Sequence, residues 1–97
     1  MISDRHNRTY TLHYSGTLLG EMEAQRLAEA IVLLLEDGVR HLVLDVGSVE
    51  LINTPGAVFL AEMYCRFRQK DGSFILSKTR SPIRAILQRM NLQVICD

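Results

Sequence analysis

Polar and apolar residues alternate through "YTLHYSG", residues 10–16: Tyr10, Leu12 and Tyr14 fall on one face, Thr11 and His13 on the other, and Gly16 ends the run. A period of two over this length predicts a half-buried strand. A short second strand is expected around Thr17 and Leu18. From about Gly20 the period becomes helical, with Leu27, Ile31, Leu34 and Leu35 on one face and Glu23, Arg26 and Glu29 largely opposite. Asp37-Gly38 supplies a helix stop. "HLVLDV", residues 41–46, is short, β-rich and apolar almost throughout, so it is expected at the sheet centre with both faces covered. "VELI" follows, and beyond residues 53–56 a second helix is read from Leu60, Met63, Tyr64 and Phe67, which repeat at three and four up to Lys70. Asp71-Gly72 turns the chain into "SFILS". Ser81-Pro82 then opens a third helix with Ile83, Ile86, Leu87 and Met90 on one face, and "LQVIC" is expected as a closing strand.

Strands alternating with helices imply βαβ connections and right-handed crossovers. The predicted fold is α/β: a single small domain, residues 1–97, with a mostly parallel central β-sheet of four to five strands and helices packed on it. A chain of 97 residues is long enough for one core and too short for two. The polar residues 1–8 are expected to form a mobile N-terminus.

Composition narrows the functional classes. Eleven basic and eleven acidic residues cancel, so no overall field draws the protein to nucleic acid or an anionic membrane. The polar start lacks the apolar centre of a signal peptide and no run is long enough to span a bilayer, which points to a cytoplasmic protein without membrane insertion. In that setting Asn7-Arg8-Thr9 is a chance sequon. The two cysteines are far apart and lack the paired spacing of a zinc site or redox motif. No Gly-rich phosphate loop is present, so no cofactor is expected.

Isolated candidates for catalysis remain. Asp45 at the end of "LVLDV" is either a general base or a carboxylate that accepts hydrogen bonds from a turn. Cys65 is a mid-helix thiol with no evident base, and His13 and His41 fit strand edges or solvated positions. Arg66, Arg68 and Lys70 suit the negative end of a helix. No constellation among these argues for an enzyme.

The junction "NTPGA" is more informative. Threonine is a good N-cap and proline is tolerated in the first turn, so Thr54-Pro55 reads as a plain helix start. A hydroxyl at that place also suits a phosphorylation switch, where added charge changes the recognition surface without unfolding the domain. Ala57, Val58, Ala61 and Cys65 continue an apolar strip beside the core stripe, either as a binding surface or as part of a broad buried stripe.

"LVLDVGSVELINTPGAVFL" followed by "GSFILSKTRSPIRAILQRMNL" resembles the STAS domain, the anti-sigma factor antagonist family, in which "LDLSGVxxIDSSGL" leads into a helix and "SPAVRRxLxxxGL" precedes the last strand. The resemblance runs from Tyr10 to Cys96. It implies a non-enzymatic regulator that binds an anti-sigma factor which is also a serine/threonine kinase, frees the sigma factor, and is switched off by phosphorylation. In the family pattern the acceptor serine follows an aspartate. Here Asn53 takes the aspartate position, Thr54 the acceptor position, Pro55 replaces a second serine, and Gly56 is kept. Thr54 retains a hydroxyl but its methyl restricts the rotamer, Asn53 removes a charge, and Pro55 removes an amide. Related domains serve as unphosphorylated scaffolds in stressosome-like assemblies, or as the small cytosolic subunit of a lipid-transport ATP-binding cassette complex, where threonine can stand at this position. The partner-binding residues implied are Asn53, Thr54, Pro55, Gly56, Ala57, Val58 and Ala61, with Thr54 as phosphoacceptor. Oligomeric state is left open.

Overall fold

In the computed structural model, which describes residues 9–18 and 21–96, the chain runs β1 (Thr9–Leu18), α1 (Glu21–Glu36), β2 (His41–Ile52), α2 (Thr54–Gln69), β3 (Ser73–Ser77) and α3 (Ser81–Arg89), and ends in a 3-10 turn at Gln93–Ile95. The expected mobile N-terminus lies outside the described residues. The strands are parallel in the order β1-β2-β3. Tyr10, Leu42 and Phe74 stand in one register row and Leu12, Leu44 and Leu76 in the next. All six are buried.

Both crossovers advance across the sheet in the same direction, so right-handed connections lay α1 and α2 on one face. The two helices pack on each other there. Leu27, Ile31 and Leu35 from α1, Phe59, Leu60, Met63 and Phe67 from α2, and Ile83 and Leu87 from α3 complete the core. The first two helices were legible from these repeats. Each of the three helices ends in the same device: Gly38, Asp71 and Asn91 take positive φ, and the amides of Val39, Gly72 and Leu92 bond back to Leu34, Phe67 and Leu87.

The expectation of a doubly covered β2 does not hold. On the other face His41 is exposed, Val43 is half-buried and Ile75 is exposed, and no helix among the described residues covers them. A second helical layer would require the strand order to reverse direction, as it does in doubly wound sheets, and here it does not.

The four to five strands expected are three among the described residues. Thr17 and Leu18 are the end of β1, which is carried through two register shifts, and "VELI" prolongs β2 to twelve residues. "LQVIC" is not a strand: Leu92 closes the end of α3, and the amides of Ile95 and Cys96 are spent on Leu92 and Gln93. Those short-range bonds wind the segment into a 3-10 turn, leaving one bridge between Cys96 and Leu76.

Candidate functional site

β2 delivers the chain to the C-terminal edge of the sheet, where α/β folds present their loops and helix N-termini. Asn53 holds the turn there. Its amide donates to the Leu18 carbonyl at 3.2 Å, its carbonyl accepts the first helical bond from Ala57 at 2.9 Å, and its Oδ1 accepts from the Gly56 amide at 3.0 Å. Asn53 is therefore the N-cap of α2, Thr54 the first helical residue and Pro55 the second. The reading of Thr54 as the cap is corrected: two adjacent residues were each able to cap, and proline, tolerated at either of the first two helical positions, did not separate them. Thr54 and Pro55 are exposed, and the Thr54 hydroxyl makes no hydrogen bond among the described residues.

Removing the cap tests this assignment. Asn53→Ala is expected to lower stability by about 1 kcal/mol, within a range of about 0.5–2, whereas Asn53→Asp keeps the acceptor and adds a charge that the helix N-terminus favours by about 0.3–1 kcal/mol. Urea unfolding of both variants reads the difference directly.

The other implied contact residues divide by burial. Gly56 is buried and Ala57 is fully buried, so these two shape the surface from beneath. Val58 is 43% exposed, Ala61 is half-buried and Cys65 is exposed. The apolar strip thus splits into a core part and an outward part. Arg66, Arg68 and Lys70 are exposed at the end of α2.

A second cluster lies where β3 ends, midway along β1 and β2. Register places His13 opposite Asp45, and Asp45 opposite Ser77. Asp45 Oδ2 lies 2.9 Å from His13 Nδ1 and 3.3 Å from Lys78 Nζ, while Oδ1 accepts from the Gly47 amide at 2.9 Å. Arg80 Nε adds a bond to the Gly47 carbonyl at 2.9 Å. Asp45 accepts from the Gly47 amide at an irregularity within β2 rather than from a turn, and it ties the middle of β1 and β2 to the end of β3. The sequence showed His13 and Asp45 separately and missed Lys78. The signal was the recurrence of a polar residue after an inward leucine in "LHY", "LDV" and "LSK".

The Gly47 amide, with Lys78 and His13 beside it, holds the Asp45 carboxyl below its ordinary value of 3.8 although burial opposes this. A lowered folded-state pKa stabilises the native form at pH values above that of the unfolded chain, and the contribution is lost as pH falls through the folded value. Stability is accordingly expected to decline in acid below about pH 4. In Asp45→Asn this part of the decline is absent from the pH dependence of unfolding.

His41 Nδ1 lies 2.9 Å from Ser73 Oγ at the opposite end of the sheet, away from Asp45. Among the described residues, no group of three or more His, Cys, Asp or Glu side chains could hold a metal ion, and no helix is long and apolar enough to cross a membrane.

The family model described as "STAS domain" matches residues 1–96. The anti-sigma factor antagonist SpoIIAA in its unphosphorylated form superposes with a TM-score of 0.79 at 13% identity, over 92% of this chain and 77% of that one. The NMR structure of the protein TM1081 gives a TM-score of 0.80 at 17% identity, over 95% and 74%. No curated protein matches the chain in sequence. At these identities the structural likeness is one of fold.

Proposed function

The chain belongs to the STAS domain family, and from that premise we propose that it is an anti-sigma factor antagonist-like module of the cytoplasm that binds an anti-sigma factor with serine/threonine kinase activity and is controlled by phosphorylation of Thr54. The observation that carries this reading is the division of labour at the junction. Asn53 caps α2, so the Thr54 hydroxyl stands exposed with no structural task.

The action is docking, without chemistry on a substrate. Asp45, the best-placed acid, is engaged by Gly47, Lys78 and His13 in a clamp between strands. A phosphate on Thr54 would find little support in its own helix, because Pro55 has no amide proton and the Gly56 amide is already bonded to Asn53. Its charge would face outward, where it alters what a partner meets while the fold stays as it is.

The test is intact-mass spectrometry of the protein from its native cells, with and without phosphatase, followed by peptide mapping. The expected result is one phosphatase-sensitive phosphate on Thr54 that is absent in Thr54→Ala. Thr54→Glu should weaken binding of the kinase partner by about tenfold or more, about 1.4 kcal/mol, with the melting temperature little changed. An unmodified Thr54 under every growth condition, together with tight partner binding, would overturn the switch.

Pro55 favours a second reading, in which the domain is an unphosphorylated subunit or scaffold docking on a transporter ATPase complex or a stressosome-like assembly. Replacing a family serine with proline removes an amide from the phosphate position. In this reading the wild type binds its partner under every growth condition, Thr54→Glu binds only if the surface tolerates charge, and no phosphate is ever found.

A further inference from the structure

α1 and α2 follow parallel strands and lie side by side in the same direction, so a groove runs between them on the side away from the sheet. Its floor and walls are Ala24, Ala28, Pro55, Val58, Phe59 and Glu62. It widens over α1 to Val32, Glu29 and Leu33, which is 65% exposed. One end opens at Pro55, beside Thr54.

We propose that this groove seats an amphipathic helix of a partner protein, with small and aliphatic side chains on its buried stripe and lysine or arginine along its borders. The inference rests on the docking role proposed above and not on the phosphorylation. Three observations carry it. Two adjacent helices present a trough into which the ridge of a third helix packs, and the alanines at its floor permit close approach. Glu29 and Glu62 border the apolar lining, and neither lies in an ion pair among the described residues, where the pairs found belong to Asp45. The groove is also continuous with the exposed face around Thr54.

Polarity sets the direction of the guest. Both host helices place their N-termini at the Thr54 end, so a guest running antiparallel to them brings its C-terminus, the negative end of its dipole, to that point. A phosphate on Thr54 then meets like charge. The charge of a single residue would loosen a helix held along its whole length.

The test uses the full unphosphorylated chain, labelled with nitrogen-15, and a designed 18-residue helical peptide with a leucine and alanine stripe bordered by lysines. A second peptide carries glutamates in place of the lysines. Expected are amide shifts confined to α1 and α2 around the groove, with at least tenfold tighter binding of the lysine peptide. The preference should collapse in the Glu29→Lys/Glu62→Lys double variant, whose changes lie on the surface, and should weaken in Thr54→Glu. Equal binding of the two peptides, shifts on another face, or no shifts at millimolar peptide would overturn the proposal. So would groove shifts that depend on protein concentration alone, since a second copy would then be the occupant. A failure here leaves the mass measurement on Thr54 standing, and an unmodified Thr54 leaves this titration standing.

Discussion

Phe67→Ala is expected to lower the unfolding free energy by about 3–5 kcal/mol, the usual cost of emptying a phenylalanine site. Phe67 is fully buried, and its ring centre lies 5.9 Å from that of Phe74 at an interplanar angle of 31°. Phe74 sits on β3 in the row of Tyr10 and Leu42, so the pair joins α2 to the covered face of the sheet. A domain of this size has roughly 5–15 kcal/mol in total, and a loss of this size removes a large part of it. Urea denaturation should show a much lower midpoint at an unchanged slope. Phe67→Leu, which keeps much of the volume, should cost less than about 1.5 kcal/mol. A loss below 1 kcal/mol for the alanine variant would mean that neighbouring side chains close over the site and that the ring pair is not what joins the layers.

That prediction uses a part of the molecule that was readable from sequence. The repeats of Leu27 and Ile31, of Leu60, Met63 and Phe67, and of Ile83 and Leu87 all mark buried faces. They could be read because helical period depends on local geometry, and each helix buries one stripe. Of the misread elements, one depended on a decision made at a distance. "HLVLDV" has the composition of a strand buried on both sides, but whether a helix lies over its second face is decided by strand order, which no local pattern contains. "LQVIC" has strand-like residues, yet the amides of Ile95 and Cys96 close on the carbonyls of Leu92 and Gln93 three residues back, and are lost to pairing for that local reason.

The site was legible to the same extent. Residues 53–56 were recognisable as the turn that opens α2, with Gly56 in place and a hydroxyl beside it. Which neighbour would cap was not, because Asn53 and Thr54 both satisfy the local requirement, and the choice is settled by the bond from Asn53 N to Leu18 on another strand. The clamp of His13, Asp45 and Lys78 is likewise a product of register. Helical repeats were visible, while interactions closed across the sheet needed the fold.

Gly56 is where those two kinds of constraint meet, and Gly56→Ala is expected to destabilise the domain although alanine is the better helix former. A β-carbon at this position would overlap the Leu18 carbonyl oxygen, and would lie 3.0 Å from the Leu18 side chain and 3.1 Å from Ile52. The carbonyl is backbone and accepts from Asn53, so relief requires α2 to move away from the end of β1. Helix propensity contributes about 1 kcal/mol in favour of alanine, while forcing a group into a filled site costs about 1–3 kcal/mol before the Asn53 bonds are counted. The clash should win, with a net loss of about 1–2 kcal/mol in urea unfolding. Amide shifts should change at Leu18, Asn53 and Ala57, because the cap and its anchor move together. Partner binding should fall as well, since Thr54 rides on the displaced turn. A variant more stable than the parent by about 1 kcal/mol would show that propensity decides and that the helix start slides freely, in which case Thr54 has no fixed position from which to act as a switch.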